Sequence, residues 1–432
     1  MIQTYLTVCY KLKLYYFRLS NMKKILKFLG FTVVGILLAM VLLPIVYKDK
    51  IVALIKETIN DELNAVVEFD DVSLSLFKSF PNARLTITDF SITGIDTFEN
   101  IDLIKAKSLY VVSDISPLFK KDQKPSIKYL AISDANFNIL KLDSQYANYL
   151  ITKESEDTSG FNLVLDGYEL NNTTITYHDK SLQLLLEAVG LSHKGKGNLS
   201  SDVFSLDTKT TADALTVRYE NFTYLKEVKT IADLVLQIDL TNEKYSFDNG
   251  AVTLNKLSLT GKGTIDFNGD DMYINTELSS LDQTFQNFVT ALPFIENNKA
   301  YTAKGSADIR LKANGIYNSV KSTYPAFDVL MKVSDGFLQY QGFDYAVSPI
   351  NANLSVNAKD SQLKDLRIHI PKFNIGINKE KIAGELKIDK ASTNPALKGH
   401  IKGSLSLENW IKALPMEGIE ELSGKILSDI SF

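Results

Sequence analysis

The stretch VSLSLFKSFPNARLTITDFSI, residues 72–92, has the period of a β-sheet. Val72, Leu74 and Leu76 alternate with Ser73 and Ser75, and Leu85 and Ile87 alternate with Thr86 and Thr88. Successive strand side chains point to opposite faces, so this pattern predicts strands with one apolar and one polar side. Phe90 and Ile92 continue the apolar set on the other parity, as a β-bulge between Ile87 and Phe90 would require. The same alternation returns at residues 137–139, 163–165, 173–177, 182–186, 234–240, 252–259, 309–311, 366–370 and 405–407.

Between these runs lie Asp166-Gly167, Asn171-Asn172, Asn249-Gly250, Asn268-Gly269-Asp270 and Asp335-Gly336. They read as hairpin turns, because Asn, Asp and Gly tolerate left-handed backbone. The expected fold is mainly β, a long curved sheet of antiparallel type built from short strands. No segment alternates strands with helices of ordinary length, which argues against a doubly wound nucleotide-binding fold. The apolar face must be covered, either by folding into a sandwich or by forming a trough that accepts acyl chains. Periodicity leaves both open. On the trough reading, Leu74, Leu76, Leu85, Ile87, Leu182, Leu184 and Leu186 line the groove.

The 432 residues include 47 Lys and Arg against 51 Asp and Glu, with 45% apolar residues and one cysteine, Cys9. Near-balanced charge argues against a nucleic-acid partner, since phosphate binding needs a basic surface. A lone cysteine excludes a disulfide framework within the chain.

Residues 28–47, FLGFTVVGILLAMVLLPIVY, run 20 positions without a charge. As a helix they span about 30 Å, the thickness of a bilayer core. The expected anchor comprises Phe28, Leu29, Phe31, Val33, Val34, Ile36, Leu37, Leu38, Met40, Val41, Leu42, Leu43, Ile45 and Val46. The run is too long, and lacks the small-residue exit, for a cleaved signal peptide. Six basic residues precede it (Lys11, Lys13, Arg18, Lys23, Lys24 and Lys27) and three follow (Lys48, Lys50 and Lys56), which places the N-terminus in the cytoplasm. Met22-Lys23-Lys24 opens a complete signal-anchor, so translation is expected to start at Met22, with residues 1–21 an upstream preface or cytoplasmic tail. Ile51, Ile55, Ile59 and Leu63 then form a stripe that predicts an amphipathic capping helix over 48–64.

Two helical interruptions are expected, one from Leu281, Phe285, Phe288, Val289 and Leu292, the other from Leu407, Trp410, Ile411 and Leu414. Asn287-Phe288-Val289-Thr290-Ala291-Leu292-Pro293 aligns with Asn409-Trp410-Ile411-Lys412-Ala413-Leu414-Pro415 at a separation of 122 residues. This is an internal repeat of helix, Leu-Pro stop and strand. The second copy stops within its strand at residues 425–432, so the sequence reads as the N-terminal part of a longer groove.

Signs of catalysis are lacking. Gly195-Lys196-Gly197 and Gly261-Lys262-Gly263 do not extend to a phosphate loop and read as hairpin turns. His178, His193, His369 and His400 have no metal-ligand spacing. Asp70-Asp71 and Asp270-Asp271 would point apart in strands or into solvent in turns. No enzyme activity, metal or cofactor is expected.

The order of features resembles the AsmA family of Gram-negative envelope proteins, in the form seen in Bacteroidetes. The resemblance rests on the basic-then-apolar anchor from Lys23, the amphipathic stretch, and Val67-Glu68-Phe69-Asp70-Asp71-Val72-Ser73-Leu74-Ser75-Leu76-Phe77-Lys78-Ser79-Phe80-Pro81-Asn82-Ala83, which looks like the family's opening motif. Leu292-Pro293-Phe294, Tyr301-Thr302-Ala303-Lys304-Gly305 and Tyr324-Pro325-Ala326-Phe327 are similar to its middle region. The resemblance implies a repeating-β-groove, bridge-like lipid transfer protein, with residues 65–432 forming a periplasmic groove. It implies a single-pass inner-membrane anchor, a phospholipid or other acyl-lipid cargo, outer-membrane or envelope proteins as further partners, and a role in outer-membrane assembly and lipid homeostasis. The alternative is a structural or partner-binding envelope β protein that influences protein targeting to the membrane without carrying lipid.

The orientation has a direct check: a reporter enzyme that works only outside the cytoplasm, fused after Asn64, is expected to be active. Activity confined to the cytoplasm would reverse the topology.

Overall fold

The computed structural model describes residues 31–35, 37–38, 40–49, 52–53, 63–114, 126–143, 145–153, 162–199, 201–269, 271–291, 300–318, 320–414 and 421–432. The start at Met22, the preface, Phe28, Leu29 and Ile36 of the anchor, and most of the capping stretch lie outside these residues. Helix α1 (Phe31–Asp49) has a mean hydropathy of 2.2 and none of it is buried, so it is long and apolar enough to cross a membrane.

Nineteen strands follow among the described residues. The first nine are β1 (Val66–Glu68), β2 (Asp71–Ser75), β3 (Ala83–Thr93), β4 (Asp102–Ser113), β5 (Ser126–Lys141), β6 (Asn162–Asp179), β7 (Leu184–Gly197), β8 (Val203–Tyr219) and β9 (Phe222–Asp239). Then come β10 (Lys244–Leu254), β11 (Leu257–Asn268), β12 (Asp271–Thr284), helix α2 (Phe285–Val289), β13 (Tyr301–Tyr317), β14 (Ala326–Tyr340), β15 (Val347–Ala358), β16 (Arg367–Ile377), β17 (Glu380–Asp389), β18 (Ala396–Ser406), helix α3 (Leu407–Ile411) and β19 (Lys425–Ser431).

All nineteen belong to one open sheet in which each strand from β2 onward pairs with the next, and β1 shares the edge of β3 with β2. Among the described residues β19 pairs only with β18 and β2 only with β3, so the sheet is open. Eighteen successive strands at about 4.8 Å extend it by about 80 Å across the strands.

One pairing departs from the antiparallel expectation, since β5 and β6 run parallel. A parallel pair needs a crossover, which residues 142–161 supply. Where β5 runs past its partner β4, Asn148 takes over the edge. Its side chain accepts from the Leu140 N–H at 2.9 Å and donates to the Asn138 carbonyl at 2.7 Å. Toward the opposite end of β5 a cross-strand ladder lies on the polar face. The Arg84 guanidinium sits 4.0 Å from the Tyr110 ring centre, Tyr110 stacks on Tyr129 at 6.1 Å, the Tyr129 hydroxyl donates to Glu169 at 3.0 Å, and Lys194 pairs with Glu169 at 2.7 Å. Burial first, then the bond to Glu169, pushes the Tyr129 hydroxyl up to about 12.

The strands reach 18 residues, because most of the expected turns are bulges inside them. Asp166-Gly167 and Asn171-Asn172 lie within β6, Asn249-Gly250 within β10, and Asp335-Gly336 within β14. Asn172, Asn249 and Asp335 have φ of 48°, 53° and 51°, the left-handed backbone that a bulge can use as readily as a turn. Only Asn268-Gly269 marks a hairpin, between β11 and β12. Leu182 is a further correction: it lies in the β6–β7 turn, where its N–H donates to Asp179 at 3.0 Å, and the strand begins at Leu184.

The parity shift in β3 is real, with Asp89 left-handed at φ 48°. The register sets Asp89 beside Asp134 and Asn172 across β4, with Gly190 next in line on β7; these three have φ of 51°, 48° and 63°. Asn172 donates to Asp134 at 2.6 Å. Left-handed residues thus line up across neighbouring strands, and between β6 and β7 the register also shifts at this line.

α2 and α3 begin 122 residues apart, so the repeat holds to the residue, although the first starts at Phe285 and residues 281–284 belong to β12. Both glycine-lysine-glycine triplets, expected as turns, are strand interior in β7 and β11. A Cβ on Gly261 would collide with the Glu277 carbonyl of the neighbouring strand. Gly261→Ala is therefore expected to destabilise the chain by about 3 kcal/mol in thermal or denaturant unfolding, with Lys262→Ala near neutral. Equal stability of the two variants would refute this packing.

Candidate functional site: the apolar face

In β13 the period of two is complete. Tyr301, Ala303, Gly305, Ala307, Ile309, Leu311, Ala313, Gly315 and Tyr317 share one face, and Thr302, Lys304, Ser306, Asp308, Arg310, Lys312, Asn314 and Ile316 the other. Directly paired residues lie on the same side, so the register carries the first set across the sheet. From Leu85 it steps to Val111, Leu130, Tyr168, Gly195 and Thr208. From Leu206, two positions along β8, it steps to Leu236, Phe247, Gly263, Thr276, Ala313, Phe327 and Ala358.

Leu74 pairs with Leu85, and Val72 with Ile87, so Leu74, Leu85 and Ile87 share this face. Leu184 and Leu186 join it through Asp179 and Tyr177, whereas Leu182 in its turn belongs to no strand face. Leu76, just past β2, is 5% exposed. At paired positions this face carries a carboxylate or amine at Lys141, Asp179 and Glu380, all at one end of the sheet.

α2 and α3 plug that same end. Phe285, Phe288 and Val289 pack against Leu257, Ala303, Ala307, Val333, Leu338 and Tyr340. Trp410, Ala413 and Leu414 pack against Val347, Ile377 and Ile350, and Leu414 also touches the first cluster. Polar clasps seat both helices. Asn255 in the β10–β11 turn donates to the Thr290 carbonyl at 2.5 Å, and Glu380 accepts from the Ser406 N–H at 2.6 Å and from Asn409 at 3.0 Å. The Ser406 N–H, with Asn409 and Lys425, holds the Glu380 carboxyl below the usual range.

Away from the plugs the face opens. Ile265 and Phe267, both on it, remain 39% and 40% exposed, while Val289 of α2 and Ala303 beneath it are 1% and 5% exposed. Glycines on this face lie beneath aromatic rings of adjacent strands: a Cβ on Gly195 would strike Tyr168, and one on Gly263 would come within 2.5 Å of Phe247.

One polar station interrupts the face. The Tyr168 hydroxyl lies 2.9 Å from His193 Nε2, and His193 Nδ1 lies 2.8 Å from the Thr210 hydroxyl. Sequence reading gave His193 no role, and only its place between apolar alternations could have signalled an inward imidazole.

Elsewhere, three cavities of about 400, 560 and 430 Å³ lie on the polar face or at hairpin ends, lined for example by Arg310 and His369, by Asp239 and Asp266, and by His178 and Arg218. Among the described residues no three His, Cys, Asp or Glu side chains converge on a metal position. In α1, Phe31, Val33, Val34, Leu37, Leu38, Val41, Leu42, Ile45 and Val46 are exposed, and Met40 and Leu43 are partly so.

Burial pushes the His193 imidazole below its ordinary value and favours its neutral form. Its contribution to stability is full above an unfolded pKa of about 6.5 and falls as the pH drops below it. Between pH 7.5 and 5 the wild type is expected to lose more Tm than His193→Gln; equal slopes would refute this.

No protein-family model, curated protein or solved structure matches the chain.

Proposed function

We propose that the chain is a membrane-anchored lipid carrier, with α1 in the inner membrane, the N-terminus in the cytoplasm and the sheet in the periplasm. In this reading its apolar face holds the acyl chains of phospholipids, and the protein serves outer-membrane assembly and lipid homeostasis without enzymatic chemistry. The observation that carries the reading is the predominantly apolar face that runs across β2–β19, covered at one end by two five-residue helices in place of a second sheet. Transfer of apolar area from water favours burial by roughly 25 cal/mol per Å², so a long exposed face gains strongly from an apolar occupant. An acyl chain fits a narrow trough bordered by polar rims. The anchor supports the same reading, since it holds one part of the sheet beside a source of lipid.

Mass spectrometry of lipids that co-purify with the full chain tests the cargo directly: phospholipid in stoichiometric amounts is expected, and its absence would sink the proposal. A substitution separates a trough from a closed core. Leu311 is on the apolar face, paired with Leu278 and Val329 and only partly buried. In a solvent-accessible trough Leu311→Asp can reach water, so the fold should survive while bound lipid falls. In a dry core the unpaired charge would cost about 3–5 kcal/mol and unfold a marginal domain. The expected result is a folded variant depleted of lipid, with Leu311→Met unchanged in both measurements. Global unfolding, or a folded variant with undiminished lipid, would count against the trough.

A further inference from the structure

Three threonines on the apolar face spend their hydroxyl protons on the sheet's own backbone. Thr208 donates to the Leu234 carbonyl at 2.9 Å, Thr276 to the Lys262 carbonyl at 3.1 Å, and Thr230, the partner of Ala212, to the Val228 carbonyl at 3.2 Å. Such a hydroxyl has nothing left to offer a ligand. The station formed by Tyr168, His193 and Thr210 does not close in this way. Its two hydroxyls meet the two nitrogens of one imidazole, Tyr168 Oη at 2.9 Å from Nε2 and Thr210 Oγ1 at 2.8 Å from Nδ1. A phenol, a neutral imidazole and an alcohol have one proton each to donate, and the two bonds between them use two of the three. In one tautomer the free proton is on Thr210, in the other on Tyr168, and a protonated imidazole would free both. Among the described residues no further hydrogen-bond partner meets either hydroxyl.

Register builds the arrangement. Tyr168 of β6 lies across its partner Gly195 of β7, where a Cβ would strike the ring. The ring thereby reaches His193, with centres 5.4 Å apart and planes tilted by 36°. Thr210 is the β8 partner of His193. All three are partly buried, and the positions around them on the same face are apolar: Leu130 pairs with Tyr168, Leu170 with His193 and Ala232 with Thr210. The inward ion pair of Lys141 and Asp179 lies away from the station, at the plugged end of β5 and β6.

We propose that the free hydroxyl of this station holds an uncharged oxygen acceptor of the cargo, the ester carbonyl that joins an acyl chain to glycerol. The idea rests on the lipid-carrier reading. An acyl chain laid on the face displaces the water that otherwise accepts this proton, and a donor left without a partner away from water is costly. A phosphate oxygen pairs best with a cation, which the station lacks. An ester carbonyl is neutral and bonded directly to the tails, so its capture holds the glycerol beside Tyr168 and Thr210 and lays the chains along the face. The station thus selects acyl esters over plain hydrocarbon and sets where the cargo rests on β6–β8.

The test offers the full chain, stripped of lipid in detergent, an equimolar mixture of diester phosphatidylethanolamine and its diether analogue, which keeps the headgroup and tails and lacks both carbonyls. Mass spectrometry of the bound lipid is expected to show a preference of about 5-fold for the diester, as one hydrogen bond gained away from water gives. Tyr168→Phe, His193→Leu and Thr210→Val together remove every donor of the station and should erase the preference while bound lipid persists. A diester isotopically labelled at its carbonyls gives a second reading on the wild type, where the ester stretch should move to lower wavenumber on binding. If the triple variant does not fold, the wild-type ratio and stretch decide. Equal binding of the two lipids by the wild type, a preference that survives the triple substitution, or an unmoved stretch would overturn the station's role and leave the lipid reading standing. Binding of neither lipid would overturn the lipid reading and the station's role with it.

Discussion

A single-layer sheet with one apolar side has no second layer against which to bury it, and the rest of this structure answers that constraint. Backbone hydrogen bonds are satisfied strand to strand, so the sheet can grow without limit across its strands. Its apolar face cannot be hidden that way. The chain covers part of it with α2 and α3 and part by aromatic rings lying over glycines. The uncovered remainder, around Ile265 and Phe267, is where an apolar ligand would gain most.

The period of two made the sheet and its apolar face legible, and Leu74, Leu85, Ile87, Leu184 and Leu186 do share that face. The change of parity after Ile87 was legible for the same reason, but it comes from the left-handed Asp89, with the β3–β4 register unshifted there. Turn positions were not. Asn172, Asn249 and Asp335 adopt the backbone that hairpin turns need, but spend it inside strands. Local chemistry cannot tell a bulge from a turn when both require positive φ; only the partner strand decides. The same limit hid the parallel pairing of β5 and β6, which depends on a crossover, and Leu182, which the turn captures two residues before the strand begins.

Polar groups fix both ends of β5. Asn148 closes its edge at the crossover end, and the ladder from Arg84 to Lys194 crosses β3–β7 near its start. Individual exposed ion pairs contribute little, but a contiguous series ties five strands to one register. Register matters here more than in a compact core, because a slip of one residue would turn the apolar set of a strand to water.

The 122-residue spacing of α2 and α3 has a consequence for how such a molecule changes over evolutionary time. From β12 to β18 is six strands, or about 29 Å of sheet, ending on a helix of the same kind in the same setting. Duplication or loss of one unit leaves each junction chemically familiar, so length becomes a quantity adjustable in fixed increments. A molecule built this way is a ruler with graduations of about 29 Å across its strands.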